Sequence, residues 1–151
     1  MSLMNFELIT ITDQNVKTLI DLARDARQDG YRFVQRTIDE WLLRINAFSK
    51  DGEILNGILL GDKIIAIGGL NIDPYMDDPS IGRVRHMYVH RDYRENGLSK
   101  VLMKKIIKDA KKSFRLLRLS TNNEVAVALY ENLGFEKVKV HKATHVLTLK
   151  K

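Results

Sequence analysis

Val89-His90-Arg91-Asp92-Tyr93-Arg94-Glu95-Asn96-Gly97-Leu98-Ser99-Lys100-Val101-Leu102 is the stretch on which the reading of this chain turns. The β-branched run Ile81 to Val89 reads as a strand, and a polar turn follows it. A helix then opens near Asn96 and continues to Lys112, with Met103, Ile106, Ile107, Ala110 and Phe114 on one face. The first turn of a helix offers unpaired backbone N–H groups and a partial positive charge, so anions bind there. Gly97 permits unusual dihedrals and close approach of a ligand to the backbone. Ser99 adds a small hydroxyl and Arg94 a full positive charge. The constellation suits a pyrophosphate, although a strand-to-helix turn with one convenient glycine would look similar.

Outward from this turn, the chain alternates helical and strand patterns. Phe6 to Thr10 reads as a strand. Thr12 or Asp13 then caps a helix with apolar positions Val16, Leu19, Ile20 and Ala23, ending near Gly30. The spacing of Ile38, Trp41, Leu42 and Ile45 predicts a second helix from Thr37 to Phe48. Ile54 to Leu60 and Lys63 to Asn71 form a hairpin across Gly61-Asp62. Both prolines fall in the loop Asp73 to Ser80. Arg115 to Ser120 is a further strand, Glu124 to Asn132 a helix closed by Gly134, and Phe135 to Val140 and Thr144 to Leu149 the last strands. This order implies an α+β protein, a mixed sheet with helices on both faces.

Composition narrows the chemistry. At 151 residues the chain fits one domain, and 44% hydrophobic residues suffice for a core. There are no cysteines, which excludes disulfides, cysteine-held zinc and a thiol nucleophile. His86, His90, His141 and His145 lack metal-ligand spacing, so no metal is expected. No apolar run reaches bilayer length and no signal-peptide layout is visible. Met1-Ser2-Leu3 reads as an extension ahead of Met4. The expected location is the cytoplasm. A net charge of +6 favours anionic partners, but interleaved aromatics for nucleic acid are missing. Lys100, Lys104, Lys108 and Lys111 read as a solvated helix face.

Two blocks carry a family resemblance. Arg94-Glu95-Asn96-Gly97-Leu98-Ser99, placed after a strand ending in valine, resembles the cofactor signature of the GNAT superfamily of N-acetyltransferases, with Ser99 where glycine or alanine is usual. Arg91 stands where many relatives carry proline. Asn123, Ala126, Leu129-Tyr130 and Gly134-Phe135 resemble the family's second block at the expected spacing. The resemblance implies the GNAT fold, with a mostly antiparallel central sheet. It also implies transfer of an acetyl group from acetyl-CoA directly to a primary amine, without a metal.

Carried onto this chain, the resemblance implies that the strand Met87-Tyr88-Val89 splays from Leu116 to Ser120. The pantetheine arm would pair with the backbones of Met87 and Val89, and the pyrophosphate with the N–H groups from Arg94 through Glu95, Asn96, Gly97, Leu98 and Ser99 to Lys100. Asn123 would sit near the pantetheine or hold the helix start, and Tyr130 would protonate the departing thiolate. Relatives often supply a carboxylate base, but the matching positions hold Arg83 and Arg118. A water chain or an amine of low pKa would remove the need for one. His86, facing opposite to Met87 by alternation, reads as packed or at the surface. Arg83 and Arg85 share a strand face, either lining a groove for an anionic acceptor or pairing with acids such as Asp77 or Asp78. Acceptor choice would lie with the N-terminal helices and the Asp73 to Ser80 loop. Expected partners are acetyl-CoA and an amine acceptor, with a homodimer within the family's habits and neither nucleic acid nor membrane. An acyl-CoA-binding module without efficient catalysis is the alternative.

Overall fold

The computed structural model describes residues 5–149, so Met1 to Leu3 lie outside the described residues. Seven strands form one sheet: β1 (Phe6–Thr10), β2 (Ile54–Leu60), β3 (Lys63–Ile72), β4 (Ile81–Val89), β5 (Leu116–Leu119), β6 (Glu136–Val140) and β7 (Ala143–Thr148). Their order is β1-β2-β3-β4-β5-β7-β6. Every neighbouring pair is antiparallel except β4 and β5. That parallel pair needs a crossover, which the helix α3 (Leu98–Ala110) supplies. The other helices are α1 (Ile20–Gln28), α2 (Phe33–Leu42) and α4 (Glu124–Asn132). The α+β class and the mixed, mostly antiparallel sheet are those expected.

β3 distributes the core between two helical layers, and a register shift against β2 puts Ile64 and Ile67 on one face and Ile65 and Ala66 on the other. Ile64 and Ile67 join Leu22, Ala26, Val34 and Trp41 beneath α1 and α2. Ile65, beside Ile64, packs with Leu98 and Leu102 of α3 on the opposite face. Leu70, Val84, Met103, Ile106, Phe114, Leu117 and Tyr130 continue that second layer under α3 and α4. The lysines Lys100, Lys104, Lys108 and Lys111 are exposed, as a solvated face requires.

Three helices have limits other than those read from the sequence; α3 runs over Leu98–Ala110 where Asn96 to Lys112 was expected, and the two N-terminal ones differ more. The segment after Thr12 begins as a 3-10 turn, Val16–Leu19, before α1. Asn15 causes this: its side chain accepts from Thr12 N–H at 2.7 Å and donates to Thr10 C=O at 3.2 Å. Such local side-chain bonds compete with α-helical ones. The second helix starts four residues earlier than Thr37 and stops at Leu42. Arg44 at φ 60° turns the chain away, and Asn46 pairs reciprocally with Asn71 at 3.1 and 3.0 Å. Ile45, expected on the buried face, is therefore 69% exposed.

β4 contacts β5 only briefly. Ile81, Gly82 and Arg83 pair with Leu116, Leu117 and Arg118, and no pairing continues beyond them. β4 runs on to Val89 against β3 alone. The two strands therefore part after Arg83 and Arg118.

Candidate functional site

The open edge of β4 has a defined polarity. His90 N–H donates to Ile65 C=O at 2.8 Å, so His90 faces β3. In an antiparallel ladder the hydrogen-bonding direction alternates. Tyr88 accordingly pairs inward with Ile67, while the peptide groups of Met87 and Val89 point toward the gap beside β5. Val89 C=O is already engaged by Arg94 Nε at 3.0 Å, which leaves its N–H for another partner. A β-bulge interrupts the β3–β4 register before this segment, and His86 occupies it at φ 60°.

The bulge places Arg85 and His86 on the same face, beneath Phe48. Arg85 lies opposite Gly69, where an added Cβ would meet Phe48 Cε1 at 2.8 Å. His86 packs edge-on against Phe48 and is packed rather than at the surface. Its Nδ1 lies 2.9 Å from Thr37 Oγ1. The Thr37 hydroxyl donates its one proton to Phe33 C=O at 2.7 Å, so it accepts from Nδ1–H. Nε2 is then a bare lone pair, buried and without a partner among the described residues. Burial, with Arg85 and Arg36 nearby, pushes the His86 pKa down to about 4.

This arrangement has a measurable consequence. Between the unfolded value near 6.5 and the folded value near 4, only the unfolded chain binds the proton. The neutral-His86 stabilisation is present above pH ~6.5 and is lost as pH falls toward ~4. Urea midpoints should show about 2 kcal/mol lost between about pH 7 and pH 5. His86→Asn, which tolerates a positive φ, should flatten that slope; an unchanged slope would contradict the account.

Beyond Val89 the chain makes a 3-10 turn, Arg91–Tyr93, and enters α3 through Gly97 at φ 75°. Glu95 also has positive φ, 68°. Asn96 Nδ2 pins the turn by donating to Tyr93 C=O at 2.9 Å and Arg94 C=O at 3.1 Å. The first helical bond is Val101 N–H to Gly97 C=O at 3.1 Å. No backbone N–H from Arg94 to Lys100 donates to another described residue. Successive free N–H groups with positive φ among them make a concave anion site. A Cβ on Gly97 would meet nothing within 4 Å, so its backbone angle, not packing, calls for glycine.

Arg94 departs from expectation. Its guanidinium does not face the turn's N–H groups; it folds back to Val89 C=O, to Asp29 at 2.8 Å and over the Tyr88 ring at 5.3 Å. Arg94 thus contributes its backbone to the cradle while its side chain braces it. Tyr88 likewise turns inward, its hydroxyl donating to Asp25 at 2.6 Å.

Asp25 went unnoticed in the sequence. Only 6% exposed, it accepts from Tyr88, from Arg91 N–H at 3.1 Å and from Arg91 Nε at 2.8 Å. Burial pushes its carboxyl pKa up, but these hydrogen bonds hold it below the usual range. Asp25 and Asp29, one helical turn apart at the end of α1, together clamp Arg91 and Arg94. Their spacing was the only available signal.

α4 follows β5, the strand on the other side of the gap. Asn123 caps it, Oδ1 accepting from Val125 N–H at 2.9 Å and Ala126 N–H at 3.1 Å. Of the two expectations for Asn123, the cap is the one observed. Tyr130 is 7% exposed and packs on Phe135 with ring centroids 5.7 Å apart. Burial pushes its phenol pKa up, so the proton stays on at neutral pH. Its hydroxyl has no hydrogen-bond partner among the described residues. Arg83 pairs with neither Asp77 nor Asp78: it is buried against Asp73, and Asp78 instead holds Arg115 at 2.8 Å. No cluster of potential metal ligands occurs among the described residues, and no described helix is long and apolar enough to cross a membrane.

Comparisons with known proteins agree with this geometry. A family model described as the acetyltransferase (GNAT) family matches residues 17–135. An acetyltransferase candidate from Exiguobacterium sp. 255-15 is 27% identical with a TM-score of 0.84, covering 96% of this chain and 94% of its own. An N-acetyltransferase from Staphylococcus aureus Mu50 is 16% identical with a TM-score of 0.77, covering 97% and 99%. The PaiA N-acetyltransferase from Thermoplasma acidophilum, solved in complex with coenzyme A, is 20% identical with a TM-score of 0.72, covering 98% and 100%.

Proposed function

The chain belongs to the GNAT acetyltransferase family, and we propose that it transfers an acetyl group from acetyl-CoA directly to the primary amine of an acceptor. The observation that carries this reading is the row of unspent N–H groups from Arg94 to Lys100, directly after the open edge of β4. Acetyl-CoA supplies an activated thioester and a pyrophosphate handle.

The chain's own residues divide the remaining work. The N–H groups from Arg94 to Lys100 hold the pyrophosphate, helped by the dipole of α3. Met87 and Val89 offer backbone groups to the pantetheine amides, as an added strand would use them. The same edge polarises the thioester carbonyl by N–H donation. As the N–C bond forms and the C–S bond breaks, Tyr130, with its proton retained by burial, gives that proton to the departing sulfur, and the proton lost by the attacking nitrogen restores the phenol. The absence of a cysteine leaves direct transfer between two bound substrates as the simplest route.

The test is CoA thiol release from acetyl-CoA across a panel of amines. Amine-dependent release is expected; release that no amine accelerates would contradict the reading. A second expectation concerns Gly97. Gly97→Val should fold with a loss of about 1–2 kcal/mol, the cost of a left-handed L-residue. Its acetyl-CoA Kd, measured by titration calorimetry, should rise about tenfold or more as the cradle distorts, a loss of about 1.4 kcal/mol. Unaltered affinity would remove Gly97 from the site.

A further inference from the structure

Where β4 and β5 part, two guanidinium groups share one carboxylate. Arg83 Nη1 and Arg118 Nη1 each lie 3.3 Å from the same oxygen, Asp73 Oδ2. Arg83 is 7% exposed, Arg118 3% and Asp73 1%. Asp73 is fixed independently, its Oδ1 accepting from Tyr75 N–H at 2.8 Å and its N–H donating to Ile81 C=O at 2.9 Å. Arg118 Nη2 donates to His141 C=O in the β6–β7 turn. Arg118 Nη1 is close enough to Asp73 for an ion pair but is not aimed at it, and it makes no hydrogen bond to a described residue.

The charge balance of this cluster is incomplete. Two cations meet one anion, leaving a single positive charge in a buried place. Buried charge is costly unless paired, and an unmatched guanidinium N–H adds to that cost. A purely structural role would be better served by one arginine on one aspartate. The cover is also thin. The Tyr75 ring lies over Arg83 at 4.8 Å from its centroid and is itself 45% exposed. Lys142 approaches the same ring at 5.5 Å, so the approach to the cluster is cationic too.

We propose that the Arg83–Arg118 pair, covered by Tyr75, binds a carboxylate carried by the acceptor amine, so that the substrates are amino acids or similar amino monocarboxylates. The proposal rests on the acyl-transfer reading and adds the acceptor class to it. Three features support it. Arg83 and Arg118 are the last paired residues before the strands part, so they border the gap in which the thioester would lie. Guanidinium forks match carboxylate geometry. A monoanion neutralises the single buried positive charge, whereas a dianionic phosphate overshoots it.

The experiment compares free amino acids with their carboxamides as acceptors, with O-phosphoethanolamine and putrescine as phosphate-bearing and non-anionic amines. Thiol release and binding to the protein–CoA complex are both measured. Free acids should exceed their amides by about 10²-fold in kcat/KM, the scale of a charge pair losing its partner. In Arg118→Gln the acid-to-amide ratio should fall toward unity. That ratio is taken within one preparation, so a partly folded variant does not imitate the effect. Equal use of acids and amides, or preference for O-phosphoethanolamine or putrescine, overturns the proposal. So does a panel in which no free acid either reacts or binds. Acetyl-CoA calorimetry on the same preparation separates the two readings. No acetyl-CoA binding defeats acyl transfer itself, whereas binding with indifference to the carboxylate defeats only the acceptor assignment.

Discussion

Tyr130→Phe is expected to lower kcat for amine acetylation by about 10²- to 10⁴-fold, the usual contribution of a positioned general acid. The phenol is 7% exposed, its ring rests on Phe135, and its hydroxyl binds no other described residue. Phenylalanine keeps the ring and its packing, so the fold and acetyl-CoA affinity should be retained. A loss confined to kcat would place the hydroxyl in the transition state. An unchanged kcat would leave Tyr130 as a packing residue. Deletion of the hydroxyl should also remove any alkaline limb that reports phenol ionisation, which burial places above the usual tyrosine value.

Asp25→Ala should produce the largest loss of stability among the residues around the turn, about 3 kcal/mol in urea unfolding. The carboxylate accepts from Tyr88 and twice from Arg91, and it lies 3.5 Å from His90 Nε2. Arg91 is partly exposed and water can reclaim it, which keeps the cost below that of a wholly buried pair. The Tyr88 hydroxyl has no such recourse. Because Asp25 anchors the chain at Arg91, just ahead of the N–H cradle, acetyl-CoA affinity should fall as well. The opposite pattern, a stable variant with intact affinity, would show that the cradle needs no brace from α1. The depressed carboxyl pKa adds a pH signature. Its stabilisation is present above the unfolded carboxylate value and is lost as pH falls through the lower folded value. That acid-range loss is distinct from the His86 slope, which lies at higher pH.

These residues show which parts of the protein were legible in the sequence. The segment from Gly97 into α3 could be read because glycine, small residues and helical spacing act locally. The same holds for α4, whose limits match the reading from its cap Asn123 to Asn132. Side chains whose partners lie far along the chain could not be read in this way. Arg94 is directed by Asp29, more than sixty residues away, and so braces the turn instead of facing its N–H groups. Arg83 and Arg118 converge on Asp73 only through the parallel register of β4 and β5. The bulge at His86 shifts strand alternation, which a count along the sequence does not reveal. The second helix was misplaced because Asn46 pairs with Asn71, a tertiary contact that overrides the helical spacing of Ile45.

In the proposed function, the open edge of β4 and the N–H groups entering α3 act as one acyl-CoA site. Amide chemical shifts of the 15N-labelled protein, followed while acetyl-CoA is added, test it most directly. The largest shifts are expected at Met87, Val89 and Arg94 to Lys100, with little change on the exposed face of α1. Saturation with these amides unmoved, or shifts concentrated elsewhere, would contradict it.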